Sequence, residues 1–383
     1  MNFEELFARR ASHIKPGLER IRKSFDALAR PAFSVPAVLV GGTNGKGSTS
    51  GFIWSLLNHS AANVALYSSP HLAEFSERFQ MSGHVITDAL VAEEYERLLA
   101  DLPADLNEEL SFFEIATLIG FRLFERFDAD FQVLEVGLGG RWDATNISDP
   151  LASIVVSVSR DHKEYLGTEL LGILHEKFAI ARSGRPLFWG AQGEVMEESG
   201  LKAAIAESMR DSGAILYTRG EEFWTSAEFI HLRLPGLLAL DLPIQGIFTG
   251  TAEYLRKNLS IAAAFYQWYS SVNQDYKPIE TIWDNFCTGH SKAPVTLVGR
   301  AQRVISRSDE ARKFLIDVCH NPDGARAFAA SVKLQFPDRK IPGYVSILKD
   351  KDYDHILDIL RSVLSPVILF GIESERTWDL ASL

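Results

Sequence analysis

Short apolar runs alternate with longer amphipathic stretches along most of the chain. Runs rich in β-branched and aromatic residues predict buried strands at residues 35–40, 63–67, 131–136 and 154–158. Apolar residues at helical spacing predict helices at residues 46–58, 112–127 and 170–182. Such alternation is typical of a mostly parallel sheet that is covered by helices on both faces. We therefore predict an α/β fold.

The pattern changes twice towards the C-terminus. Residues 221–250 contain short apolar pieces with prolines and glycines, which predict small strands and loops, and helices follow at 252–270 and 278–286. Residues 288–294 are small, polar and turn-rich, as in a linker. The alternation then restarts, with strands at 314–318, 341–347 and 366–370 and helices at 324–336 and 353–364. We predict two domains, residues 1–294 and a smaller α/β domain at residues 295–383.

Composition excludes several classes of protein. The 383 residues carry a formal net charge of −11, whereas broad binding to nucleic acid or to an anionic membrane needs a basic surface. Only two cysteines are present, which is too few for a disulfide framework. The first ten residues have no apolar core of a signal peptide, and no apolar run is long enough to span a bilayer. We therefore expect a cytoplasmic protein that binds neither nucleic acid nor membrane.

The strongest local signal is a phosphate-binding loop at residues 42–48, Gly-Thr-Asn-Gly-Lys-Gly-Ser, between a predicted strand and a predicted helix. Glycines let the backbone aim several N–H groups at one anion, and the start of the helix adds partial positive charge. Lys46 would contribute a full charge to the phosphate oxygens, and Ser48 or Thr49 could cap the helix or lie near a metal. The common Walker string is not matched strictly, because Gly47 separates Lys46 from Ser48. The alternative is a plain glycine turn with a solvated lysine, but the strand–loop–helix order favours phosphate.

Polar residues also lie at or just after the ends of three other predicted strands, at the edge where ligands bind in open α/β sheets. These segments are residues 68–72, 135–141 and 161–162. Glu135 is the best candidate for a magnesium ligand, because Mg²⁺ prefers oxygen; the alternative is a buried acid paired with Arg141. His162 is a weaker candidate, since a lone loop histidine is more often a surface residue. For Lys177, on the helix predicted at residues 170–182, the pattern alone favours a solvated side chain.

Six ordered motifs together resemble one family, the folylpolyglutamate synthase/dihydrofolate synthases of the Mur ligase superfamily. They are the loop at 42–48, Ser-Ser-Pro-His-Leu at 68–72, Leu-Gly-Gly-Arg-Trp-Asp-Ala-Thr-Asn at 138–146, Asp-His at 161–162, Asp-Val-Cys-His-Asn-Pro at 317–322 and Asp-Lys-Asp at 350–352. The resemblance implies a P-loop-type ATPase domain with a mostly parallel sheet and a Rossmann-like C-terminal domain, apparently shortened here, with ATP between them. It implies a monomeric ligase of folate biosynthesis and one-carbon metabolism. That ligase would join L-glutamate to a folate or dihydropteroate carboxylate through an acyl phosphate, releasing ADP and phosphate.

The resemblance also implies roles for individual residues. Nucleotide-binding residues would be Thr43, Asn44, Gly45, Lys46, Gly47, Ser48, Asn258, Arg300, Asp317 and His320. Ser69, Glu135 and His162 would hold magnesium, while Asp143 and Asn146 would face the pterin substrate or the loop that holds it. Lys177 matches a lysine that is carbamylated in this superfamily and helps to hold a second metal. Catalysis would thus depend on Lys46, Lys177 and His162, and ATP would close the two domains.

Three positions depart from the usual family pattern. Phe178-Ala179 follow Lys177, Val298 precedes Gly299-Arg300, and Leu259-Ser260 follow Asn258. Two alternatives stay open from the sequence: a Mur-type ligase for another acid and amine, and a nucleotide-binding homologue without catalysis. The sequence also leaves open whether dihydropteroate, folates or both are substrates.

Overall fold

The computed structural model describes residues 3–9, 16–28, 35–60, 63–248, 251–289, 298–306 and 313–372. Its α-helices are α1 (Glu4–Ala8), α2 (Glu19–Ala27), α3 (Lys46–Asn58), α4 (Asp88–Asp101), α5 (Ala104–Glu109), α6 (Phe112–Arg126), α7 (Lys163–Leu166), α8 (Leu170–Phe178), α9 (Leu201–Ser212), α10 (Glu253–Val272), α11 (Ile279–Cys287), α12 (Pro322–Gln335) and α13 (Tyr353–Arg361). Its strands are β1 (Ala37–Gly41), β2 (Val64–Tyr67), β3 (Phe79–Met81), β4 (Phe131–Glu135), β5 (Ala152–Val155), β6 (Pro186–Trp189), β7 (Ile215–Thr218), β8 (Phe223–Thr225), β9 (Phe229–Leu232), β10 (Leu240–Pro243), β11 (Gln302–Ile305), β12 (Lys313–Ile316), β13 (Ile341–Val345) and β14 (Leu364–Leu369). Short 3₁₀ helices span Phe75–Arg78, Ala144–Ile147, Glu194–Glu197 and Gly246–Phe248.

The central sheet has seven strands in the order β3-β2-β4-β1-β5-β6-β7. All neighbours pair in parallel except β3, which is antiparallel to β2 at the edge. The predicted mostly parallel sheet is therefore confirmed. Because β1 and β4 are central neighbours, their carboxyl ends bring the phosphate loop and Glu135 to the same edge.

Both faces of the sheet are covered, as predicted. Side chains of successive β1 residues alternate between two separate cores: Leu39 joins one, Val38 and Val40 the other. Helices α6 and α8 supply much of the first core. Helices α3 and α10, which pack against each other, supply the second. This burial on both faces explains why the central strands read as continuous apolar runs.

Residues 221–248 form the small strands and loops predicted for residues 221–250, of which 249 and 250 lie outside the described residues. Strands β8, β9 and β10 make an antiparallel sheet of three strands. Trp283 of α11 donates a hydrogen bond from Nε1 to the carbonyl of Pro243, 2.8 Å away, which ties this sheet to the helices beside it.

Residues 298–306 and 313–372 build a unit with a hydrophobic core of its own, which we call the C-terminal unit. Helices α12 and α13 pack together over Ala325, Val332 and Ile356. Strands β11 and β12 pair antiparallel, and β13 and β14 pair in parallel. The described strands of this unit thus form two separate pairs. Of the predicted linker at residues 288–294, only 288 and 289 are described, and the predicted boundary after residue 294 lies outside the described residues.

None of the described helices is both long enough and apolar enough to cross a membrane.

Candidate active site

The phosphate loop has the backbone shape that its glycines predict. Strand β1 ends at Gly41, and α3 begins at Lys46 after Gly45, whose φ of 84° lies in the left-handed region. A Cβ added to Gly45 would lie 2.7 Å from Nδ2 of Asn258, so a side chain does not fit there. The N–H of Asn44 donates to Oγ of Ser157 over 2.8 Å. The loop is therefore held from both sides, by the turn after β5 and by helix α10.

Lys46 folds back over this loop. Its Nζ donates to the carbonyls of Gly42 and Thr43, at 3.0 and 3.1 Å. Burial lowers the pKa of Lys46, and the negative charges of Glu135 and Asp161 partly offset that effect. The ammonium is thus not a solvated surface group, which was the alternative from sequence. It is poised beside the amides of the loop.

Glu135 ends β4 and is 2% exposed. Its Oε2 accepts a hydrogen bond from the N–H of Ser69 over 2.9 Å. Burial raises the pKa of Glu135, and the nearby charge of Lys46 opposes this. The alternative pairing with Arg141 is wrong, because Arg141 Nε lies 2.8 Å from Oε1 of Glu176 instead. A buried carboxylate beside a serine, at the first turn of α3, is chemistry that a hard divalent cation would stabilise.

His162 immediately precedes α7 and adopts a φ of 49°. Its N–H donates to Oδ1 of Asp161 over 2.8 Å. Burial lowers the pKa of His162 to about 4, so the imidazole is neutral at pH 7 and keeps a lone pair for a ligand. Within the described ranges, no three His, Cys, Asp or Glu side chains form a metal site by themselves. A cation held by Glu135 and His162 would need serine, phosphate or water oxygens as well, which is how Mg²⁺ is usually bound.

One cleft of about 490 Å³ brings most of the predicted site residues together. Its volume is in the range of small-molecule sites. Predicted residues that line it are Thr43, Asn44, Gly45, Lys46, Gly47, Ser48, Ser69, Glu135, His162, Asn258, Arg300, Asp317 and His320. The last three come from the C-terminal unit, so the cleft lies between the two parts of the chain. Within it, Asn258 Nδ2 donates to Oγ of Ser48 over 2.9 Å, next to the phosphate loop.

Asp143 and Asn146 do not line this cleft. Asp143 is buried and accepts hydrogen bonds from the N–H of Leu138 (2.9 Å) and from the N–H (3.0 Å) and hydroxyl (2.6 Å) of Thr145. Asn146 donates to the carbonyl of Arg141 over 3.0 Å. Both side chains therefore hold the loop at residues 138–146 in shape. A direct contact of either one with substrate stays a prediction.

Lys177 also lies outside the cleft lining, but it is 3% exposed, so the solvated lysine favoured by its pattern is wrong. Burial, with the charge of Lys46, lowers the pKa of Lys177 to about 7. In the described part of the chain its Nζ has no hydrogen-bond or ion-pair partner. The neighbouring Phe178 packs into the core, where its ring lies edge-on to that of Trp189 with 5.4 Å between the ring centroids. This departure from the family pattern is accommodated by the core.

Several residues that line the cleft were not predicted from the sequence. Gln192 follows β6 between Gly190 and Gly193, so glycines at the end of a parallel strand were an available signal. Tyr254, in the first turn of α10, donates to Oδ2 of Asp317 over 3.0 Å. No local pattern marks that tyrosine, since its partner lies 63 residues away.

Comparison with known proteins agrees with this geometry. No protein-family model matches the chain. The chain is 30% identical over 376 residues to a dihydrofolate synthase/folylpolyglutamate synthase of Bacillus subtilis, covering 95% of this chain and 83% of the relative. The chain belongs to the dihydrofolate synthase/folylpolyglutamate synthase family. Two solved structures support this family membership.

The first is the Escherichia coli enzyme FolC in complex with DHPP and ADP, with a TM-score of 0.80 and 28% identity over 98% of this chain and 84% of that one. The second is a bifunctional folylpolyglutamate synthase/dihydrofolate synthase with Mn, AMPPNP and L-glutamate bound, with a TM-score of 0.78 and 28% identity over 97% of this chain and 84% of that one. These similarities confirm the Mur ligase-type α/β fold. They also show that members of the dihydrofolate synthase/folylpolyglutamate synthase family bind nucleotide, a divalent metal and glutamate.

Proposed function

We propose that this protein is an ATP-dependent ligase that joins L-glutamate to a carboxylate of dihydropteroate or of a folate. The observation that carries the proposal is the cleft in which Lys46 and the buried Glu135 face residues of the C-terminal unit. Family membership supports the reaction class. The E. coli relative binds DHPP and ADP, and another relative binds AMPPNP, Mn and L-glutamate, which together represent the reactants this ligase would use.

The triphosphate of ATP would bind at the start of α3. There, loop amides and the helix terminus favour an anion. Lys46 now donates to two loop carbonyls, at 3.0 and 3.1 Å, and we infer that it exchanges them for phosphate oxygens when ATP binds. Arg300 and His320 would reach the nucleotide from the opposite wall. Such fixed positive groups stabilise the charge that moves with the γ-phosphoryl group.

Ser69, Glu135 and His162 would hold the divalent cation. When bound, it supplies positive charge that shields the phosphate oxygens from the substrate carboxylate. The fit rests on Glu135, whose buried carboxylate accepts, among the described residues, one hydrogen bond, that of the Ser69 N–H.

In the first step, a carboxylate oxygen of the substrate attacks the γ-phosphorus of ATP, the bond to the bridging oxygen breaks, and ADP leaves. In the second, the unprotonated amine of glutamate attacks the acyl carbon, phosphate leaves with the carbon–oxygen electron pair, and the nitrogen loses one proton to solvent to give the amide. Holding the reactants together contributes roughly 7–11 kcal/mol through effective concentration. The cleft also has to exclude water, which would hydrolyse the acyl phosphate.

Lys177 is suited to the carbamylation that the family resemblance implies. With a pKa of about 7, about half of its amine is unprotonated at neutral pH, and that form attacks CO₂, releasing one proton. Incubation with ¹³C-bicarbonate should give a carbamate carbon signal in NMR spectra that is absent from Lys177→Arg.

We also propose a division into domains at residues 1–294 and 295–383, a monomeric state and a cytoplasmic location. The separate core of the C-terminal unit supports the division. The cysteines in positions 287 and 319 are both free, which agrees with a reducing compartment. Sedimentation velocity tests the monomer, and fractionation of cells that make the protein tests the location.

The decisive experiment is phosphate release from ATP with dihydropteroate or tetrahydrofolate, with and without L-glutamate. We expect glutamate-dependent release with at least one of these acids, together with a product heavier by one glutamate residue. Release with another amino acid alone would point to a Mur-type ligase of different specificity. Nucleotide binding without product under every substrate pair would refute the ligase.

A further inference from the structure

Three donors from the C-terminal unit converge on a single carboxylate of the N-terminal part, that of Asp161. Lys351 Nζ lies 2.8 Å from Oδ1, and Asn321 Nδ2 and His320 Nε2 lie 3.0 and 3.1 Å from Oδ2. The side chains of Asp161 and Lys351 are only 8% and 10% exposed. This contact is therefore a buried, hydrogen-bonded ion pair, unlike the mobile pairs of a protein surface.

A second polar contact lies beside the first. Asn44 and Asn321 exchange two hydrogen bonds through their amide groups, from Asn44 Nδ2 to Asn321 Oδ1 (3.1 Å) and from Asn321 Nδ2 to Asn44 Oδ1 (3.0 Å). Asn44 belongs to the phosphate loop, whereas Asn321 caps α12 by accepting from the N–H of Gly324 over 2.8 Å. The amide pair therefore links the phosphate loop directly to the start of a helix in the other unit.

Asn321 joins the two contacts, because the same amide bonds both Asn44 and Asp161. We call the set of Asn44, Asp161, Asn321 and Lys351 the interdomain lock. Of its members, Asp161, Asn321 and Lys351 do not line the cleft. They contact residues that do line it, such as Asn44 and His320.

The lock holds two functional segments in place. One is the phosphate loop, through Asn44. The other is the segment of His162, whose N–H donates to the same Asp161 carboxylate over 2.8 Å. On the opposite side the lock holds the unit that carries Arg300 and Asp317, which line the cleft. Separation of the two units would break the contacts of Asp161 and Asn44 with the C-terminal unit together, whereas the bond from His162 to Asp161 lies within one unit.

We propose that Lys351 and Asn321 are positioning residues of the ligase. Through the lock they keep the C-terminal unit in the orientation in which its Arg300, Asp317 and His320 face the phosphate loop. The inference rests on the proposed function for its effect on turnover. Its structural content, that these two side chains help to hold the closed arrangement beside contacts such as Tyr254–Asp317, does not need that function.

Two variants test the lock. Lys351→Met removes the ammonium but keeps an unbranched side chain of similar length. Asn321→Ser keeps a residue that can cap α12 but cannot reach Asn44 and Asp161 at once. Lys333→Met is the matched control, because Lys333 is an exposed lysine on α12 of the same unit. For each, we would measure the melting temperature, the Kd of AMPPNP, kcat and KM for glutamate, and small-angle scattering with AMPPNP bound.

We expect both lock variants to lose at least tenfold in kcat and to scatter as more open particles, while KM for glutamate changes less than threefold. The control should behave as the wild type. Adding Asp161→Asn to Lys351→Met should cost less than the product of the two single effects, since both act on one contact. Variants that keep kcat and scattering within twofold of the wild type would overturn the lock.

The design separates the possible failures. A further outcome is that a variant loses kcat, changes KM for glutamate by a similar factor and melts at a lower temperature without scattering as a more open particle. That result would indicate a general structural role and would also count against the lock. Were the wild type unable to ligate at all, the proposed function would fail, but scattering and AMPPNP affinity would still decide on the lock. If Lys351→Met does not fold, Asn321→Ser carries the same test.

Discussion

Gly45→Ala tests the claim that the phosphate loop admits no side chain at residue 45. Gly45 has a φ of 84°, and an added Cβ would lie 2.7 Å from Asn258 Nδ2 and 2.8 Å from Cγ1 of Val156. Gly83 is the matched control, since it also has a positive φ, 72°, but an added Cβ meets nothing within 4 Å. Both substitutions place an alanine in the left-handed region and lose stability for that reason. Only Gly45→Ala also brings the new methyl group into overlap with Asn258 and Val156.

The expected magnitudes follow from these two environments. A left-handed alanine costs about 1–2 kcal/mol, and the less flexible unfolded chain returns about 0.4–1 kcal/mol, so Gly83→Ala should destabilise by about 1 kcal/mol. Overpacking at Gly45 adds about 1–3 kcal/mol, because Asn258 can move only by giving up its bond to Ser48. Gly45→Ala should therefore lower the free energy of unfolding by about 2–4 kcal/mol.

The assay is urea unfolding without nucleotide, followed by calorimetric titration with AMPPNP. We expect Gly45→Ala to weaken AMPPNP binding at least tenfold, because the N–H groups of the loop would no longer point at the same phosphate group. We expect Gly83→Ala to leave AMPPNP binding unchanged. Equal destabilisation of both variants within 0.5 kcal/mol (about the usual error) would refute the clash. Unchanged AMPPNP affinity of Gly45→Ala would refute the role of the loop.

Three further predictions follow from the site. Lys46→Ala should abolish phosphate release while far-UV circular dichroism stays native, because among the described residues the lysine side chain makes two hydrogen bonds, both within its own loop; robust ligation would contradict its role. Glu135→Gln should raise the half-saturating Mg²⁺ concentration at least tenfold in a phosphate-release titration, since an amide is a weaker ligand than a carboxylate; an unshifted midpoint would remove Glu135 from the metal site. Burial raises the pKa of Cys287 to about 12 and also raises that of Cys319. Iodoacetamide at pH 8 should therefore not label the buried Cys287 in the folded protein within an hour but should label it in guanidinium, as read by mass spectrometry; fast native labelling of Cys287 would disprove its burial.

Where local chemistry decides the structure, the predictions were accurate. Helix α3 spans the predicted residues 46–58, because the glycine-rich turn marks its start. Other boundaries moved: the helix predicted for 170–182 ends at Phe178, and Arg182 turns away to bond Asn146 over 2.8 Å. Strand β6 was not predicted, since four residues that begin with Pro186 carry little periodicity. Its pairing with β5 makes it a strand.

The site residues also fall into those that local sequence predicted and those that it did not. The phosphate loop, Glu135 and His162 were found because each lies at or just after the end of a predicted strand, and parallel strands end at one edge of a sheet. The burial of Lys177 was not predicted, because helical periodicity shows which residues share a face of a helix but not what covers that face. The interdomain lock was equally hidden, because Asn44 meets Asn321 across 277 positions and Asp161 meets Lys351 across 190.

The order of strands and helices, the turn of the phosphate loop and the class of ligand it attracts were therefore determined by the sequence itself. They depend on neighbours a few residues apart, whose backbone preferences and apolar spacing can be read directly. Only the tertiary structure decided which polar groups lose their water, and with it the lowered pKa of Lys177, the partner of Tyr254 and the contacts that join the two units. Desolvation and hydrogen bonding depend on groups brought together from distant parts of the chain, and no local pattern encodes them.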